Sequence, residues 1–133
     1  MSNFDEGRRW LAAARDDLAL ARLAAANGFH AAACFHAQQS AEKAVKAIHF
    51  SRGARAVTGH SVRKLIESLQ PRNGTLDGLI AGARELDLLY IPSRYPNGLD
   101  HGTPGEAFGA EQSARAIGVA HDILSAGESV IPR

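Results

Sequence analysis

The sequence has 133 residues, which is typical of a single domain, and we expect one domain over residues 1–133 with its core between about 5 and 126. Its 15 basic and 14 acidic side chains nearly cancel, which excludes a broad positive field for steering nucleic acid or a membrane surface. A single cysteine, Cys34, and the lack of any run of roughly 18 apolar residues predict a cytoplasmic protein with no disulfide and no membrane contact.

Two long amphipathic helices are predicted first. One begins at Asn3, with Glu6 at the capping-box position, and ends at Asn27-Gly28; the next runs from about His30 to Arg52 and stops at Gly53. Only a few residues join them, so we expect them to pack antiparallel. Small and apolar side chains recur at spacings of three and four, and the predicted inward positions are Leu11, Ala14, Leu18, Ala21, Ala25, Cys34, Ala37, Ala41, Ala44 and Ile48.

Three more helices follow in the prediction, at Ser61–Leu69, at Thr75–Tyr90 and from Ala110 or Glu111 to Gly127. The segment Pro92–Gly109 is rich in proline and glycine and shows no periodicity, so we predict a long loop. The fold class is therefore all-α, an up-and-down bundle of about five helices. In the last helix the predicted inward positions are Ala114, Ile117, Ala120, Ile123 and Leu124.

The second predicted helix carries a polar stripe formed by Gln39, Glu42, Lys43 and Lys46. These residues follow helical spacing and lie beside the small-residue face. One interpretation is a solvated face in which Glu42 and Lys46 form an ordinary i,i+4 pair. The other is a polar network lining a groove or an interface, where the neighbouring alanines bring a partner within hydrogen-bonding reach.

The long loop contains Arg94 and Tyr95, and His101 follows Arg94 after six intervening residues. A guanidinium stabilises negative charge on a phosphate, and an imidazole can exchange a proton with a ribose hydroxyl, so Arg94 and His101 are candidate catalytic residues. His60 stands at the start of the third predicted helix, where capping or packing is its expected role. No histidine has a carboxylate at a metal-ligand spacing, so we expect no metal and no cofactor.

These motifs together resemble the HEPN family, the higher-eukaryote and prokaryote nucleotide-binding domain. The resemblance spans about residues 8 to 126 and rests on the segment Gln38–Ala47, on Gly59-His60 followed by Leu65, and on Leu86-Asp87 leading to Ser93-Arg94-Tyr95-Pro96.

The resemblance implies a helical bundle that forms a homodimer and acts with a minimal nucleotidyltransferase subunit, often as toxin and antitoxin. It also implies contact with nucleotide or RNA, for which Gln39, Glu42, Lys43, Lys46, Tyr95 and His60 are the candidate binding residues. Active members use an arginine, four to six intervening residues and a histidine, supplied by both protomers to one RNA-cleaving cleft.

Three functions are therefore open. The first is a dimeric partner of a nucleotidyltransferase that contacts nucleotide or RNA. The second is a metal-independent endoribonuclease toxin that uses Arg94 and His101, although Tyr95 and Thr103 stand where active members frequently have an asparagine and a tyrosine. The third is a structural bundle subunit without a ligand.

Overall fold

The structure, a computed structural model, describes residues 2–133, and within that range the chain contains helices and turns but no strand. The α-helices are α1 (Asn3–Ala26), α2 (His30–Ser51), α3 (Val62–Glu67), α4 (Gly74–Asp77), α5 (Ile80–Leu89), α6 (Pro104–Ala107) and α7 (Ala110–Val130), and a 3-10 turn spans Pro96–Gly98. The all-α prediction is confirmed, while the described residues form seven α-helices rather than about five. None of these helices is long and apolar enough to span a lipid bilayer.

The first turn of α1 is capped one residue earlier than predicted. The Ser2 hydroxyl accepts a hydrogen bond from the Asp5 N–H at 3.1 Å, and the Asp5 carboxylate accepts one from the Ser2 N–H at 2.9 Å, so the predicted cap at Asn3 is wrong. The Ser2 N–H and then the Arg8 guanidinium lower the pKa of Asp5 to about 2. At the other end Gly28 has a φ of +81°, which confirms the predicted left-handed stop.

Helices α1 and α2 pack antiparallel, as predicted. The ring of Trp10, near the start of α1, stacks on Phe50, near the end of α2, at 4.9 Å between centroids. Midway along the pair the Ser40 hydroxyl donates to the Ala14 carbonyl at 2.7 Å. All the predicted inward positions of both helices are buried except Ala25, which is half-buried. Burial raises the pKa of the Cys34 thiol to about 11, as fits an unreactive core residue.

The helix predicted over Thr75–Tyr90 is broken into α4 and α5. The break falls at Gly78, which ends α4, and at Leu79, whose backbone leaves the helical region before α5 begins. Glycine weakens a helix interior because it gains backbone freedom on unfolding, so the chain can reorient there at low cost. The short α6 likewise lies inside the segment predicted as loop, where the Thr103 side chain caps its first turn.

In the last helix, α7, the predicted inward positions Ala120, Ile123 and Leu124 are buried, whereas the first two predicted positions and the length differ from the prediction. Ser113 and Ala116 are buried, whereas the predicted Ala114 is exposed and Ile117 only half-buried. Ser113 is tolerated on the inner face because its hydroxyl lies 2.8 Å from His30 Nδ1 and donates to the Ala110 carbonyl. The helix also continues past Gly127 to Val130, and the glycine there permits the close approach of α7 to Leu11 and the Ala44 carbonyl rather than ending the helix.

Candidate functional site

The polar stripe of α2 faces two different surroundings. Glu42 and Lys46 are 4% and 6% exposed, so the interpretation of a solvated face is wrong for this pair. Lys43 lies on the other side and donates to the Asp17 carboxylate of α1 at 2.6 Å, with His36 Nδ1 3.4 Å from the same group. The candidate residues of this helix therefore do not converge on one ligand surface.

Glu42 is the centre of a hydrogen-bond network. Its Oε2 accepts from the Lys46 ammonium at 3.0 Å, and its Oε1 accepts from His60 Nδ1 at 3.2 Å. The amide of buried Gln38 donates to the His60 carbonyl at 2.9 Å and lies 3.4 Å from Glu42 Oε1, while Gln39 donates to Gln38 at 2.8 Å. We call these five residues the Glu42 network; it ties the middle of α2 to the residue that precedes α3.

Arg94 lies among three aromatic rings. Its guanidinium carbon is 4.7 Å from the Phe35 centroid, 4.4 Å from that of Tyr90 and 4.9 Å from that of Tyr95. Its Nε donates to the Tyr90 carbonyl at 3.0 Å, and within residues 2–133 its two terminal nitrogens make no hydrogen bond. We call these four residues the Arg94 cluster. Such ring contacts hold a guanidinium in place without using its outward-facing donors.

His60 joins the network to the cluster. Its ring stacks on Tyr90 with 4.6 Å between centroids and 16° between planes, while its Nδ1 bonds Glu42. The helix cap itself is Ser61, whose hydroxyl accepts from the Lys64 N–H, so His60 has a packing role rather than a capping one.

A carboxylate on α5 fixes the chain next to His60. Asp87 accepts hydrogen bonds from the Ser61 hydroxyl and the Val62 N–H, both at 2.6 Å, and more weakly from the Arg63 N–H at 3.4 Å. Tyr90 lies one helical turn further along the chain, so the same end of α5 holds both His60's backbone neighbours and the ring on which His60 stacks.

His101 stands apart from this arrangement. It is exposed, and no hydrogen bond, ion pair or ring contact in the described chain joins it to Arg94. The structure thus brings Arg94 together with Tyr95 and His60 but not with His101. Across residues 2–133 no group of three or more His, Cys, Asp or Glu side chains is arranged to hold a metal ion.

Sequence reasoning did not assign Phe35, Gln38 or Tyr90 to the site, although Gln38 belongs to the segment that carries the family resemblance. Phe35, Gln38 and Glu42 share one face of α2 by their spacing, and Tyr90 precedes Arg94 by four residues. Those spacings were the available signal, but an aromatic residue at helical spacing is typical of a core position, and a glutamine is typical of an exposed one.

A family model and several solved structures are similar to this chain. The model of the HEPN domain matches residues 8–130. The crystal structure of TT1696 from Thermus thermophilus is similar at 35% identity and a TM-score of 0.88, covering 93% of this chain and 97% of that one. ST0689, described as an archaeal HEPN homologue, is similar at 32% identity and a TM-score of 0.79, covering 96% and 98%.

A HEPN domain protein from Thermotoga maritima is similar at 33% identity and a TM-score of 0.72, covering 94% of this chain and 98% of that one. Among curated proteins none matches the sequence.

Proposed function

The chain belongs to the HEPN domain family, and from that premise we propose that it binds a nucleotide unit, free or within RNA, at the Arg94 cluster. We further propose that it does so as a homodimer partnered with a minimal nucleotidyltransferase. The observation that carries the binding proposal is the state of Arg94, whose guanidinium is held by three rings while both terminal nitrogens are left unengaged by the described chain.

A guanidinium held in this way suits a phosphate group. Its paired N–H donors match two phosphate oxygens, and the fixed position lowers the entropy lost on binding. Tyr95, which is 49% exposed, adds a ring on which a base can stack beside the phosphate.

The surrounding charges favour an anion. The buried Glu42 carboxylate is paired with the Lys46 ammonium at 3.0 Å, and the Asp87 carboxylate accepts hydrogen bonds from the Ser61 hydroxyl and the Val62 N–H. Repulsion between these carboxylates and a bound phosphate is therefore reduced, while the Arg94 charge is not cancelled by an acidic partner in the described chain. A local site of this kind is compatible with a net charge of only +1.

Binding is tested by calorimetric titration of the purified protein with adenosine monophosphate and, separately, with single-stranded pentaadenylate. Arg94→Ala should weaken whichever ligand binds by about 10- to 100-fold, since hydrogen bonds to charged groups contribute about 1.5–3 kcal/mol. The matched control is Arg115→Ala, which removes an exposed arginine of α7 that pairs only weakly with Glu85. Equal affinity of the wild type and Arg94→Ala would contradict the binding proposal.

The proposed homodimer and its nucleotidyltransferase partner are supported by exposed apolar side chains near the Arg94 cluster. Leu88 is 75% exposed, and Ile91, three residues further on, is 42% exposed, which leaves apolar surface beside the Arg94 cluster. Apolar patches of this kind are typical of protein contacts. We expect a dimeric mass at micromolar concentration and co-purification with a nucleotidyltransferase encoded next to this protein; a monomer that retains no such subunit would sink this part of the proposal.

A further inference from the structure

Taking nucleotide binding at the Arg94 cluster as given, we infer that His60 and Glu42 select ribose over 2′-deoxyribose. In this inference the free ring nitrogen of His60, Nε2, accepts a hydrogen bond from the 2′-hydroxyl of the bound nucleotide. His60 is then a specificity-determining residue and Glu42 a positioning residue.

Glu42 determines which ring nitrogen of His60 carries the proton. Glu42 is buried and paired with the Lys46 ammonium, and an ionised carboxylate can only accept hydrogen bonds. Its 3.2 Å contact with Nδ1 therefore places the proton of the neutral imidazole on that nitrogen. Nε2 is left as an acceptor, and no hydrogen bond from the described chain occupies it.

His60 and Arg94 both contact the ring of Tyr90. The His60 ring centroid is 4.6 Å from the Tyr90 centroid, and the Arg94 guanidinium carbon is 4.4 Å from the same point. Both groups therefore pack on the ring of Tyr90, and in the proposed complex one nucleotide spans that ring and contacts both. A ligand that fits must offer an anion to Arg94 and a hydroxyl donor to Nε2, and a ribonucleotide offers both, whereas a 2′-deoxynucleotide lacks the donor at the 2′ position.

Three contacts fix the position of His60, while much of its side chain stays exposed to water. The imidazole is held by Glu42 and by the Tyr90 stack, and the Gln38 amide holds its backbone carbonyl at 2.9 Å, so Nε2 has a fixed place before a ligand arrives. The side chain is 57% exposed, and water can replace a missing hydroxyl. We therefore expect a discrimination of about 5- to 10-fold, the value of one ordinary hydrogen bond, and not the much larger factors of a fully buried site.

The experiment compares matched ligands on the intact protein. Pentaadenylate is titrated in its ribo, 2′-deoxy and 2′-fluoro forms, and adenosine monophosphate is titrated beside its 2′-deoxy form to separate polymer from mononucleotide binding. We expect the ribo ligand to bind about 5- to 10-fold more tightly than either substituted form. The 2′-fluoro form is informative because it is similar in size to the hydroxyl but cannot donate a hydrogen bond.

The matching variant is His60→Phe, which keeps a ring against Tyr90 and removes both nitrogens. It should abolish the difference in affinity between the ribo and deoxy ligands. The control is His121→Phe, since His121 is also an exposed histidine beside a carboxylate, Asp122, but lies on α7 outside the site. Thermal unfolding verifies that both variants fold, and the wild-type comparison with the 2′-fluoro ligand stands without either of them.

The outcomes separate the two proposals. If the wild type binds ribo and deoxy ligands equally, ribose selection is overturned and nucleotide binding is kept. If the 2′-fluoro form binds like the ribo form, or His60→Phe retains the preference, the assigned acceptor is wrong. If no ligand binds at all, nucleotide binding itself fails and ribose selection fails with it.

Discussion

Replacing Lys46 with methionine lowers the free energy of unfolding by about 3–5 kcal/mol, because the substitution leaves a buried carboxylate without its cation. Lys46 and Glu42 are 6% and 4% exposed, and their charged atoms lie 3.0 Å apart. Methionine preserves most of the side-chain volume, so lost packing is a small part of the effect. Urea unfolding followed by circular dichroism measures the change.

Two further variants isolate the cause of that loss. Arg63→Met removes the cation of another i,i+4 pair, Arg63 and Glu67, which is partly exposed and should contribute at most about 1 kcal/mol. The double variant Glu42→Met and Lys46→Met should recover most of the stability, since burying two apolar groups avoids the unpaired charge. A Lys46→Met loss no larger than that of Arg63→Met would show that the pair is hydrated after all.

Asp87→Ala is expected to lower the free energy of unfolding by about 2–3 kcal/mol, since hydrogen bonds to a charged acceptor are stronger than neutral ones. The carboxylate receives the Ser61 hydroxyl and the Val62 N–H at 2.6 Å, and the variant leaves these donors at the start of α3 without that partner. Thermal and urea unfolding report the loss. Because Ser61 follows His60 directly, nucleotide affinity should fall as well.

The comparison for this variant is Asp77→Ala. Asp77 also accepts at 2.6 Å, from Arg72, but both side chains are more than a third exposed. Such a pair should contribute less than about 1 kcal/mol. Similar losses in the two variants would mean that Asp87 contributes only a surface contact and does not hold α3 against α5.

The long helices were predictable because their burial repeats with the helical period. α1 and α2 begin and end within one or two residues of the predicted positions, and left-handed glycines follow both. The division of α4 from α5 at Gly78 was not predictable, because a single glycine is compatible with a continuous helix. The inward placement of Ser113 depends on His30, which is 83 residues away in the chain.

The site was predictable only as separate pieces. Arg94, Tyr95 and His60 were found by residue type, and Glu42 with Lys46 by spacing, yet the assembly depends on α2 meeting the end of α5. No local sequence pattern predicts that contact between helices, so Phe35 and Tyr90 could not be identified as the rings that pack on Arg94. The pairing of Arg94 with His101 stays a prediction, one that contacts within the chain do not support.

The Gln38 contact with the His60 carbonyl has a consequence for evolution and engineering of the chain. Gln38 and Glu42 bind the backbone and the side chain of His60 directly from α2, so the imidazole does not depend on the path of the residues that precede it. Ala54, Arg55 and Ala56 are exposed in that connection. Insertions there cost little closure entropy, and the connection is therefore a place where length can vary, or a reporter sequence be inserted, while His60 keeps its position.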